Sequence, residues 1–304
     1  MIAAACSSDS GDTTTTAGDG GDTTTTSEAM GDGVPIGMAY DIGGRGDLSF
    51  NDSAAVGLDR AAADLGIVPT ELEPSAGGEN REENLRLLAE AGNELVFGIG
   101  FAFAEALGAA AADFPDTSFA IVDDASLADV PNVTSLVFAE EQGSALVGAA
   151  AALKTETGKI GFVGGVDIDL IKKFEAGYEF GAKQINPDIQ IEVTYLTSVP
   201  DFSGFADPAK GKEAATAMYE GGADIVYHAA GGSGAGVFEA AKDYSEANGT
   251  HVWAIGVDSD QYNSVSDDLK PYILTSMLKR VDVAVYSTIS SYVNDGQQSG
   301  VVLF

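Results

Sequence analysis

The sequence predicts a doubly wound α/β protein built as two lobes joined by a hinge. Three observations predict it. Short, continuous apolar runs alternate with helical stretches from residue 34 onward, and most runs end in Gly, Asp or both. The βα units are also too many for one comfortable sheet, which divides them between two lobes. Runs that are apolar throughout, rather than at every second residue, suit parallel strands buried on both faces, with the intervening helices as crossovers.

The elements follow in order. The run 34–40 gives way to "DIGGRGDLSFND" (41–52), and a helical stretch covers 53–65. A second helix is expected at 79–91, a strand at 94–99, a helix at 102–113, and a strand at 118–122 ending in Asp123-Asp124. A strand at 133–138 leads to a helix at 141–154, then a strand at 159–163 ends in "GGVDID" (164–169) before a helix at 170–185. Next come a strand at 189–196, a helix at 210–220, and a strand at 223–229 that ends in "AGGSGAG" (230–236) before a helix at 235–247. The strand 251–257 ends in "DSDQ" (258–261), the strand 272–278 runs into Lys279-Arg280, and a helix covers 281–294.

In doubly wound folds ligands bind beyond the carboxyl ends of the strands. Gly lets backbone approach a ligand closely, and several acidic strand ends with one Lys describe a shared cleft for a neutral, hydroxyl-rich molecule. A plain turn after residue 40 needs the Gly and Asp residues but not Phe50. A ligand loop needs all three.

Composition narrows the function. With Lys+Arg 15 against Asp+Glu 47, the net charge is −32, which repels phosphate backbones and argues against nucleic acid as a partner. No segment approaches the ~18 consecutive apolar residues of a membrane-spanning helix. "AGGSGAG" follows a strand and opens a helix, but Val237 stands where a dinucleotide fingerprint needs its third glycine. A tight strand-to-helix turn explains it better, and no cofactor is expected. The two histidines, His228 and His251, stand apart with no Cys nucleophile or G-x-S-x-G elbow, so neither catalysis nor a metal centre is expected.

Residues 7–33 are nearly all Ser, Gly, Asp and Thr, with "GDTTTT" at 11–16 and 21–26. Such a segment buries too little apolar surface to fold and reads as a flexible spacer. The only cysteine, Cys6, sits in "MIAAACSSDSGD". Small residues before Cys and a polar stretch after it resemble the end of a bacterial lipoprotein signal, with Ala3 where Leu is usual and only Met1 and Ile2 ahead. Cys6 is therefore the expected lipidation site, which would place the protein at the cell surface or in the periplasm, anchored to the plasma membrane.

Several segments together carry a family resemblance. "DIGGRGDLSFND", "PDTSFAIVDD", "VFAEEQGSALVGAAAAL", "GKIGFVGGVDIDLIKKFEAGYEFGAK", "FADPAKGKEAA", "ADIVYHAAGGSGAGVFEAAK", "WAIGVDSDQ" and "ILTSMLKRVDVAVY" resemble the basic membrane protein (BMP) family, the PnrA-like nucleoside-binding lipoproteins of ABC importers. The resemblance runs in order from about residue 34 to 295. It implies a periplasmic-binding-protein-like fold (type I), a nucleoside ligand held between the lobes, and ABC permease and ATPase subunits as partners of a monomeric receptor. It also places base-stacking aromatics at Phe50 and Phe205, with Phe202 as the alternative for the second. Asp41, Asn51 and Asp123 fall on the base side of the cleft, and Gly232, Asp258 and Lys279 on the ribose side. By the same resemblance lobe one is 34–137 plus 259–296 and lobe two is 138–258. Residues 297–304 begin a third hinge crossing that the chain does not complete. A dinucleotide-dependent oxidoreductase and a sensor on the same fold are the competing readings.

Overall fold

The structure, a computed structural model, describes residues 33–304. Cys6 and the Gly/Asp/Thr-rich spacer lie outside the described residues.

Two parallel sheets form the two lobes. The first holds β1 (Pro35–Ala39), β2 (Val68–Leu72), β3 (Leu95–Gly98), β4 (Ser118–Val122), β5 (Val133–Val137) and β11 (Gly300–Leu303), in the order β11-β5-β4-β3-β1-β2. The second holds β6 (Lys159–Asp167), β7 (Gln190–Ser198), β8 (Ile225–Ala229), β9 (Trp253–Asp258) and β10 (Ile273–Leu278), in the order β10-β9-β8-β6-β7. All pairings are parallel.

Helices cover both faces of each sheet, as buried parallel strands require. In lobe one, α1 (Phe50–Leu65) and α8 (Val281–Asp295) bury Leu58, Val285 and Ile289 against Ile36, Met38 and Phe97. On the opposite face α2 (Arg81–Glu90) and α3 (Ala104–Asp113) bury Leu85, Leu88 and Leu107 against Val96, Phe119 and Ile121. In lobe two, α4 (Glu140–Lys154) and α5 (Asp169–Ile185) cover one face around Phe162, Tyr178 and Tyr227. Helices α6 (Pro208–Glu220) and α7 (Gly234–Asn248) cover the other around Met218, Val226 and Phe238.

The structure corrects the expected elements in four places. Strand β2, "VPTEL", carries an exposed Pro and two half-buried polar residues that mask it, yet it pairs with β1 from Pro35↔Val68 to Ala39↔Leu72 at the sheet edge, where Pro is tolerated. Strand β6 does not stop at "GG" but continues to Asp167, paired with Ser198. A Cβ on Gly164 would lie 2.5 Å from the Tyr195 ring and one on Gly165 2.5 Å from the Phe205 ring, so both glycines make room for aromatic rings. Helix α1 begins at Phe50, so Phe50 and Asn51 belong to its first turn rather than to a loop.

The fourth correction moves a lobe boundary. Strand β10 pairs with β9 in the second sheet, so residues 259–278 belong to lobe two and not to lobe one. The chain passes into lobe two at Phe138–Ala139 and returns at Lys279–Arg280, not at Asp258–Gln261. An acidic loop after a buried strand looks like a sheet exit whether or not the next strand returns to the same sheet. Residues 297–304 include β11, which pairs with β5 and ends with Phe304 N–H donating to the Val137 carbonyl at 2.9 Å.

Candidate functional site

The carboxyl ends of both sheets face one cleft between the lobes, with about 690 Å³ of space unoccupied by protein atoms, open solvent at its mouth included. Asp41, Phe50, Asn51, Asp123, Phe205, Asp258 and Lys279 all line it, as does Phe202. The expected Gly232 does not; the neighbouring Gly231, with φ +53°, lines the cleft instead. A Cβ on Gly232 would lie 3.4 Å from the Phe205 carbonyl oxygen and 3.7 Å from Asp47 Cβ.

The loop after β1 is held by its own carboxylates. Asp47 accepts hydrogen bonds from the backbone N–H of Ser49, Asn51 and Asp52, at 2.9, 2.9 and 3.1 Å, and thereby caps α1. Asn51 lines the cleft with its amide already engaged: Nδ2 donates to Asp47 Oδ2 at 3.0 Å, and Oδ1 accepts from Asp41 N–H at 3.1 Å. Asp41 Oδ1 accepts from Arg81 Nε at 2.9 Å, in a pair that no local signal in the sequence announces. The Arg81 guanidinium in turn lies 5.9 Å from the centre of the Phe202 ring across the cleft.

Aromatic rings reach the cleft from both lobes. Phe50 comes from α1 of lobe one, while Phe202 and Phe205 follow β7 of lobe two. Phe101, just after β3, meets Phe202 and Phe205 edge-on, with ring centres 5.7 and 6.4 Å apart. The Gly100-Phe101 strand end repeats the signal that marks residues 41–52 and could have been found in the sequence. Phe174 also lines the cleft, but its spacing with Ile171 and Tyr178 on α5 reads as ordinary helix core.

The cleft floor is charged and buried. Lys279, 3% exposed, places Nζ 2.6 Å from Asp123 Oδ2 and 3.3 Å from Glu140 Oε1. The rings of Phe50, Phe138 and Phe174 surround the same ammonium at 5.3, 5.0 and 5.4 Å. Burial pulls Lys279 down, but Asp123, Glu140 and Asp258 more than offset that and hold it above its ordinary value. The second carboxyl oxygen of Asp123 is buried with no protein partner. Asp258, at the end of β9, is pushed up to about 7 by burial, against the pull of Lys279 and of the Ser49 hydroxyl that donates to it at 2.6 Å. Asp123 and Asp258 have φ +71° and +66°, a left-handed backbone seldom adopted by residues other than Gly and often found at ligand sites.

His228 is buried beneath the cleft against Phe238, and burial pulls it down to about 4, so it is neutral near pH 7. Among the described residues no cluster of His, Cys, Asp and Glu could hold a metal, and no helix is long and apolar enough to cross a membrane.

Two α/β lobes that enclose a small-molecule cleft define a solute-binding protein. The chain belongs to the PnrA-like family of ABC transporter substrate-binding proteins, whose pattern matches residues 35–304. It is 40% identical over 260 residues to the CD4+ T-cell-stimulating antigen of Listeria monocytogenes, covering 82% of this chain and 71% of that protein. It is 38% identical over 274 residues to the ABC transporter nucleoside-binding protein BmpA of Lactococcus lactis, covering 86% and 76%. Among solved structures, an ABC transporter solute-binding protein from Aeropyrum pernix superposes with a TM-score of 0.79 at 34% identity, covering 89% and 74%.

Proposed function

We propose that the cleft binds a nucleoside, of the purine class by resemblance, and that the protein delivers it to the permease and ATPase of an ABC importer. The observation that carries this reading is the pairing of aromatic rings from opposite lobes with buried carboxylates at the cleft floor. Flat rings suit a nucleobase, since every base has a π-face, with Phe50 on one side and Phe205 on the other. A carboxylate accepts both hydrogen bonds of a vicinal diol, which suits Asp258 to ribose. Asp123, with one oxygen on Lys279 and the other without a protein partner, suits an N–H donor on the base. Lys279 offsets part of the buried negative charge, and the remaining carboxylates disfavour a phosphorylated ligand. The Lactococcus relative is named for nucleoside binding, and this supports the assignment.

Lipidation at Cys6 would tether the receptor at the membrane. Mass spectrometry of protein expressed with its upstream signal should find a diacylglyceryl group on Cys6, and an unmodified Cys6 in the mature chain overturns the anchor. A thermal-shift screen over nucleosides, free bases, nucleotides and sugars tests the ligand. The expected result is stabilisation by nucleosides above all other classes; a sugar or nucleotide outranking them contradicts it.

A further inference from the structure

Ser49 occupies the N-cap position of α1, yet its hydroxyl makes no cap hydrogen bond. Serine at that position ordinarily accepts from the first-turn N–H groups. Here the Asp47 carboxylate takes those N–H groups instead. The Ser49 hydroxyl is thereby free to reach the other lobe, where it donates to Asp258 Oδ2 at 2.6 Å. Leu48 turns the same way. Its φ of +57° is a left-handed backbone that a Leu adopts only when its surroundings enforce it.

The Leu48 carbonyl is received in lobe two by Gln261 Nε2 at 2.9 Å and by Ser259 Oγ at 3.3 Å. Gln261 is braced from behind, its Oε1 accepting from Val257 N–H at 2.8 Å. Ser49 and Gln261 are both buried, and neither lines the ligand cleft, so ligand contact does not account for them.

We propose that Leu48–Ser49 and Ser259–Gln261 form a bolt that holds the lobes closed, with Ser49 and Gln261 as positioning residues that set affinity without touching the ligand. If only the closed form binds, apparent affinity scales with the fraction of molecules closed, and a looser bolt weakens every ligand by one factor. Because Asp258 belongs to both the bolt and the cleft wall, closing also fixes the carboxylate that faces the ligand. The inference rests on the cleft being a ligand site, whichever ligand it takes.

Gln261→Glu tests it with little change in shape. The variant keeps the acceptor for Val257 N–H and replaces the donor to the Leu48 carbonyl with a carboxylate oxygen. Distances between a spin label on each lobe, measured on ligand-free protein, should lengthen. Affinities for adenosine, guanosine and inosine should fall by one common factor, about tenfold. Ser49→Ala should act in the same direction, and it decides the matter if Gln261→Glu does not fold. Unchanged interlobe distances in the folded variants overturn the bolt, as do affinity losses that differ from one nucleoside to another. Should no nucleoside bind even the unaltered protein, the distances still decide the bolt, and the nucleoside assignment alone fails.

Discussion

Asp123 and Asp258 stand at corresponding places in the two lobes, each at the carboxyl end of an interior strand, each with a buried side chain and each with a left-handed backbone. Their neighbours differ. Asp123 meets an ammonium at 2.6 Å, whereas Asp258 meets a hydroxyl and feels that ammonium only from a distance. Equivalent positions in a two-lobed fold therefore need not share one electrostatic role. One carboxylate is part of a buried ion network, and the other is poised to titrate near neutral pH.

Removing the ammonium should have the largest effect. Lys279→Met leaves Asp123 and Glu140 buried without their common partner and should cost about 3–5 kcal/mol of stability, the usual loss when a buried pair is broken. Chemical denaturation measures it, and adding Asp123→Asn should recover part of the loss. A Lys279→Met cost no greater than that of Ser49→Ala would erase the contrast between the two strand ends.

Next is the lobe-two ring. Phe205→Ala should weaken nucleoside binding by about 1–3 kcal/mol in a calorimetric titration, the range for one base–aromatic stack, while Phe202→Ala should cost less. The reverse ranking would assign the stack to Phe202.

The pH dependence comes third and probes Asp258 directly. Its folded value, about 7, lies above the ordinary 3.8, so the folded protein holds this proton more tightly than the unfolded chain. The stabilisation from that proton is fully present below about 4 and is lost as pH rises through about 7. Asp258→Asn should therefore raise the ligand-free melting temperature at pH 8, with a gain that shrinks toward pH 4. Binding runs the other way, since the ionised carboxylate is the better acceptor for a diol. Affinity should weaken by at most about tenfold per pH unit below 7 in the unaltered protein, and less in Asp258→Asn. The variant should also discriminate less against 2′-deoxyribose. A pH-independent affinity in the unaltered protein would make the two strand ends alike.

Much of this was legible in the residues. Continuous apolar runs such as "SFAIV" disclose buried parallel strands, and the Gly/Asp/Phe composition at 41–52 marks a segment that lines the cleft. The lobe boundary was not legible, because the choice of sheet for β10 is made by pairing with β9 and leaves no local mark. Nor could the sequence show Arg81 on Asp41, Glu140 beneath Lys279, or Ser49 crossing to Asp258. Those contacts join residues 40, 139 and 209 positions apart, and each side chain taken alone reads as a surface charge or a helix cap.

The central claim is that rings from opposite lobes hold a base between them, and the most direct test is Phe50→Ala, with nucleoside affinity and ligand-free melting temperature measured on the same preparation. The expected result is an affinity loss of about 1–3 kcal/mol, from several-fold to about a hundredfold, with a smaller change in melting temperature than core truncation gives. Phe50 is only half-buried and faces the cleft. A stability loss of about 3–5 kcal/mol with affinity unchanged would make it a core residue and contradict the account.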